Sequence, residues 1–74
     1  MDKYEFFLNM VNEIRKDKGE DAVLSVKPED SLRSDLGFDS MDLAVMTAKI
    51  EDQYDVDVFS DGIIDKVQDV YDKL

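Results

Sequence analysis

Apolar residues recur at helical spacing in three stretches of the chain and lose that spacing between them. Tyr4, Phe7, Leu8, Val11 and Ile14 form the first face, with Phe6 and Met10 widening it, and predict a helix over about residues 3–17. Asp2, followed three residues later by Glu5, reads as a capping pair at its start. Arg15, Lys16 and Lys18 suit its negative end, and Gly19 is able to close it. Met46, Ile50 and Tyr54 follow an i, i+4, i+8 row, with Leu43 and Thr47 adjoining, and predict a second helix from Ser40 to Tyr54 or Asp55. Asp39 is a good N-cap for it, and Asp42 puts negative charge in the first turn, where it is favoured. Val67, Val70, Tyr71 and Leu74 give a third face, with Asp65 and Gln68 as a capping pair, for a helix from about 66 to the end.

The connections are less regular. Residues 19–39 form a long segment in which Val26, Leu32 and Leu36 are expected to reach the core, and a connection of that length is usually functional or partly structured. Val23–Val26 and Val56–Val58 have strand-like features, but neither has a partner strand, so both are read as loop. Ser60-Asp61-Gly62 is a turn, and Ile63 and Ile64 suggest one short turn of helix. The expected fold is all-α, a single domain over residues 1–74 with three main helices and a short extra one in a small bundle.

Composition narrows the chemistry. The chain has no cysteine and no histidine, which removes disulfides and the usual zinc ligands. A net charge of -10 disfavours binding to a phosphate backbone, so nucleic acid is not an expected partner. The same charge suits docking onto basic patches of other proteins. No apolar run is long enough to span a membrane, and the charged start Met1-Asp2-Lys3 is unlike a secretion signal. A cytoplasmic location, or a compartment reached without a signal in this stretch of sequence, is therefore expected.

Ser40 sits where the glycine turn at Gly37 leads into the second helix. With no histidine to act as base and no G-x-S-x-G motif, a self-sufficient serine hydrolase is improbable. Ser40 reads instead as a residue on which another protein acts. A phosphate ester there would meet free backbone N–H groups and the positive end of the helix. Asp39 and Asp42 work against a bare anion but suit an incoming basic enzyme.

Asp35-Leu36-Gly37-Phe38-Asp39-Ser40-Met41-Asp42 resembles the D-L-G-x-D-S-L-D signature of acyl carrier proteins, with methionine at 41 in place of the usual leucine. Ile50 to Val58 and Ile64 to Tyr71 resemble the acidic end of that family's second helix and its last helix. The resemblance implies a four-helix bundle with a short third helix. It also implies that a phosphopantetheinyl transferase moves 4'-phosphopantetheine from coenzyme A onto Ser40, and that the arm's terminal thiol then carries acyl groups as thioesters. The chain itself would be a carrier and not an enzyme, expected as a monomer, serving fatty acid or related polyketide or specialised synthesis.

Further roles follow from the same resemblance. Asp39, Asp42, Glu51 and Asp52 match acidic docking positions, and Met41 and Leu43 add apolar contact near the arm. Met46, Ile50 and Tyr54 are core residues that would secondarily line an acyl pocket. Val45 stands where many members carry a glutamate used in docking, and Phe59 where proline is common, so both bear on partner choice.

Three rivals stand beside this reading. Asp57, Asp61, Gly62 and Asp65 fall on EF-hand positions, but Phe59 sits where a ligand belongs and Gln68 replaces the bidentate glutamate. An unmodified interaction module is disfavoured by the intact Asp39-Ser40 pair. Peptidyl and D-alanyl carriers use the same arm, and the acidity with the D-S-M-D core leans towards acyl cargo.

Overall fold

Asp2 accepts a hydrogen bond from the Glu5 backbone at 2.8 Å and opens helix α1, Lys3–Asp17. The computed structural model describes residues 2–60, 62 and 64–74. Gly19, at φ +78°, closes α1: its N–H donates to the Lys16 carbonyl and that of Glu20 to the Arg15 carbonyl, so both orphan acceptors are satisfied. The second helix, α2, runs over Ser40–Tyr54 and stops at Asp55, which takes the left-handed conformation at φ 58° and donates to Glu51. Asp is one of the few non-glycine residues that adopts it readily.

The last helix, α3, covers only Val67–Tyr71, shorter than the expected run to the end of the chain. Its start also differs. Lys66 is the N-cap residue, and Asp69 accepts from the Lys66 and Asp65 N–H groups, so Asp65 and Gln68 are not the capping pair. Asp65 is drawn away by Ser31, whose hydroxyl donates to its carboxylate at 2.9 Å, and Gln68 instead donates to Asp72. Of the short helical turn expected at Ile63 and Ile64, Ile63 lies outside the described residues and Ile64 is not helical. The protein is thus all-α, with three helices and no strand among the described residues.

The long connection between α1 and α2 is held by specific bonds. Asn12 of α1 donates to the Val23 carbonyl and accepts from the Val23 N–H, at 2.9 and 2.8 Å. Further along, Leu32 donates to the Asp65 carbonyl, Val67 to that of Asp30 and Gln68 to that of Pro28, which ties the connection to the start of α3. An isolated antiparallel bridge, Ser31 to Lys66, results. Leu32 and Leu36 enter the core as expected, and Val26 packs at its edge.

That core draws Phe7, Met10, Val11 and Ile14 from α1, Leu43, Met46 and Ile50 from α2, and Val67, Val70 and Tyr71 from α3. Phe38, which carries no periodic signal, and Val58, from the strand-like stretch read as loop, are buried too. Tyr4 departs from its expected face: it is largely exposed and touches the edge of Tyr71. Met10, expected to widen that face, is in the core. No helix among the described residues is long and apolar enough to cross a membrane.

Candidate functional site

The segment before Ser40 is braced before the helix begins. Ser31 anchors a tight turn: its N–H donates to Asp35 at 2.6 Å, and its carbonyl accepts from Asp35 and Leu36. Leu36 and Phe38 are buried on either side of Gly37, so the chain must reverse sharply there, and Gly37 does so at φ +75°, a conformation that favours glycine. The exposed Asp39 and Ser40 follow directly.

Two cations at the end of α1, Arg15 in its last turn and Lys18 at its C-cap, close over this segment. Arg15 Nη1 donates to the Leu36 carbonyl at 2.8 Å, and its Nε to that of Asp21 at 2.7 Å. Lys18 Nζ donates to the Gly37 carbonyl at 2.8 Å and to Asp42 Oδ2 at 2.7 Å. Glu20 lies 3.4 Å from Arg15 and 3.8 Å from Lys18. The sequence placed these cations at the helix end for its dipole; their reach to the loop is a tertiary feature that spacing does not reveal.

Asp39 and Asp42 form a reciprocal capping box. Asp39 Oδ1 accepts from the Asp42 N–H at 2.9 Å, and Asp42 Oδ2 from the Asp39 N–H at 3.0 Å. Burial pushes the Asp42 carboxyl up, but the Lys18 ammonium and the Asp39 N–H outweigh it and hold the group below its ordinary value. The hydrogen bond to Asp42 in turn raises Lys18. The next N–H, that of Leu43, goes to the Asp39 carbonyl.

Ser40, as the first helical residue, lies at the positive end of α2 with its side chain in solvent. A phosphodiester on its oxygen would lie beside first-turn amides, which suits an anion. The local chemistry therefore fits a phosphate-linked group on this serine.

The other expected site residues divide. Met41 is 75% exposed and Val45 38%, one turn apart, and Glu51 and Asp52 are exposed further along α2. Asp42 and Leu43, expected on the docking surface, are turned inward. Asp42 is only 7% exposed because its side chain folds back onto the Asp39 N–H and pairs with Lys18, and Leu43 shares the inner face with Met46 and Ile50. Met46 and Ile50 are fully buried, while Tyr54 is half-buried with its ring edge-on to Phe6 at 5.2 Å. An open groove of about 360 Å³ between α1 and α2 is lined by residues including Phe6, Met10, Lys49 and Asp52, and by neither Met46 nor Ile50.

The proposed EF-hand positions do not assemble among the described residues. Asp57 accepts from the Phe59 N–H and Asp65 from Ser31, and no group of three or more acidic side chains converges to hold a metal. Asp61 lies outside the described residues.

Residues 8–70 match the family described as the phosphopantetheine attachment site, and the chain belongs to that family. The cofactor of this family is covalently attached 4'-phosphopantetheine. Among curated proteins, the chain is similar to an acyl carrier protein of Syntrophus aciditrophicus (strain SB), 45% identical over 49 residues. That match spans 64% of this chain and 61% of the relative's length. No solved structure matches significantly. The resemblance carried by residues 35–42 is thereby borne out at the level of the family.

Proposed function

We propose that this chain is an acyl carrier protein and that Ser40 carries its 4'-phosphopantetheine arm. The observation that supports this most is the setting of Ser40: exposed at the first position of α2, directly after a loop held by Arg15 and Lys18. In the loading step, Ser40 Oγ forms a bond to the pantetheine-side phosphorus of coenzyme A as the pyrophosphate P–O bond breaks. Adenosine 3',5'-bisphosphate leaves, and the serine proton passes to a base of the transferase. The bound arm supplies a terminal thiol for thioester-linked acyl cargo, which the cysteine-free chain lacks.

On this reading residues 1–74 are one carrier domain, monomeric and cytoplasmic, that visits enzymes of fatty acid or related synthesis. The family's short extra helix is not formed at Ile64, so the bundle rests on three helices among the described residues. Asp39, Met41, Val45, Glu51 and Asp52 face those enzymes, whereas Met46, Ile50 and Tyr54 support the interior in which an acyl chain would shelter. Incubation with coenzyme A and a phosphopantetheinyl transferase should raise the intact mass by one phosphopantetheine, and Ser40→Ala should abolish the gain. An unchanged wild-type mass with several active transferases, or an equal gain in the variant, contradicts the proposal.

A further inference from the structure

We propose that Lys18, assisted by Arg15, is the positioning residue that fixes Ser40 for modification. The inference rests on the reading of Ser40 as the attachment residue and deepens it. A single ammonium joins the carbonyl of Gly37, three residues before Ser40, to the carboxylate of Asp42, two residues after it. The same carboxylate accepts the Asp39 N–H, so the chain is tied on both sides of the serine to one point on α1. Arg15, one turn earlier, holds the neighbouring Leu36 carbonyl.

Gly37 gives this arrangement its purpose. At φ +75° it is the most permissive residue of the segment; its N–H is held by the Arg33 carbonyl, and a Cβ there would meet nothing closer than 3.7 Å. Lys18 adds a second hold, on the Gly37 carbonyl itself, at the point where the chain turns into α2. Asp42 is only 10% exposed at its side chain and Lys18 25%, so their bond is partly shielded from water, while the contact to Gly37 lies at the surface. Phosphoryl transfer requires Oγ in line with the breaking bond, and a displacement near 1 Å at a reacting centre costs on the order of 100-fold in rate. Loss of one of several restraints should cost less, on the order of 10-fold.

The test is steady-state loading of the apo protein by a phosphopantetheinyl transferase with coenzyme A. Lys18→Gln should lower kcat on the order of 10-fold with KM for the carrier essentially unchanged, and Lys18→Arg should restore most of the loss by keeping a cationic donor. Lys49→Gln, which breaks the 2.6 Å ion pair to Glu13 elsewhere between α1 and α2, should load at the wild-type rate. Asp42→Asn removes the other half of the bond and should show the same kcat loss, with the double variant no slower than either single one. This second variant carries the test if Lys18→Gln does not fold. A wild-type kcat in Lys18→Gln, a change confined to KM, an equal loss in Lys49→Gln, or failure of arginine to rescue overturns the inference. If the wild type itself gains no arm, the reading of Ser40 fails instead.

Discussion

Asp39 and Asp42 cap each other across the first turn of α2, each carboxylate accepting the other's backbone N–H at 2.9 and 3.0 Å. Ser40 and Met41 lie between them, so the rigidity of this box is the rigidity of the candidate attachment site. Asp39→Ala should cost about 1 kcal/mol of stability, and Asp39→Asn, which keeps an acceptor oxygen, a smaller amount. Urea denaturation of the two variants checks the order; equal losses would mean that the cap bond contributes little.

The Lys18–Asp42 pair fixes the pH behaviour. Despite the burial that opposes its ionisation, Asp42 is held below its ordinary value of 3.8 by Lys18 and Asp39. Asp69 is depressed as well, through the N–H groups of Lys66 and Asp65. A folded value below the unfolded one means stability that is present above the unfolded value and is lost as pH falls through the folded value. The thermal midpoint should therefore drop as pH falls below 3.8, and the difference between wild type and Asp42→Asn should shrink over the same interval. Lys18 is raised above its ordinary 10.5, so its contribution persists through neutral pH and is lost only on the alkaline side, as pH rises through the folded value. A wild-type-to-variant difference that stays constant into acid would contradict this assignment.

Met46 is fully buried at the centre of the core. Met46→Ala should destabilise by about 2–5 kcal/mol, a large fraction of the total for a domain of this size. Calorimetry is the check, and a loss below about 1 kcal/mol would mean that the core collapses readily into the space.

The exposed face of α2 changes character along its length, from Met41 and Val45 near Ser40 to Glu51 and Asp52 beyond. Reversing the charges of Glu51 and Asp52 should weaken partner binding most at low ionic strength, because salt screens such contacts. Val45→Ser should weaken it with little salt dependence while leaving stability within about 0.5 kcal/mol. Titrations with a partner enzyme at two salt concentrations separate these effects; the same salt response in both variants would rule out the division.

The bounds of α1 and α2 were legible because local signals agree with the packing: Asp2 with Glu5, Asp39 before the Leu43–Met46–Ile50 face, and Gly19 at a helix end. The last helix misled because Leu74 continues the apolar spacing although the helix stops at Tyr71, and because Ser31 claims the Asp65 carboxylate. Ser40 was legible from its motif. The inward turn of Asp42 was not, since it depends on Lys18, 24 residues earlier in the chain. Nor was the burial of Phe38, which follows from the turn at Gly37 and not from any periodicity.

The most direct test of the account is fragmentation mass spectrometry of the protein after treatment with coenzyme A and a phosphopantetheinyl transferase. The chain offers serines at 25, 31, 34, 40 and 60, so the added mass has several hydroxyls on which it could fall. The account predicts one phosphopantetheine per chain, localised to Ser40. Modification at another residue, or none with an active transferase, would contradict it.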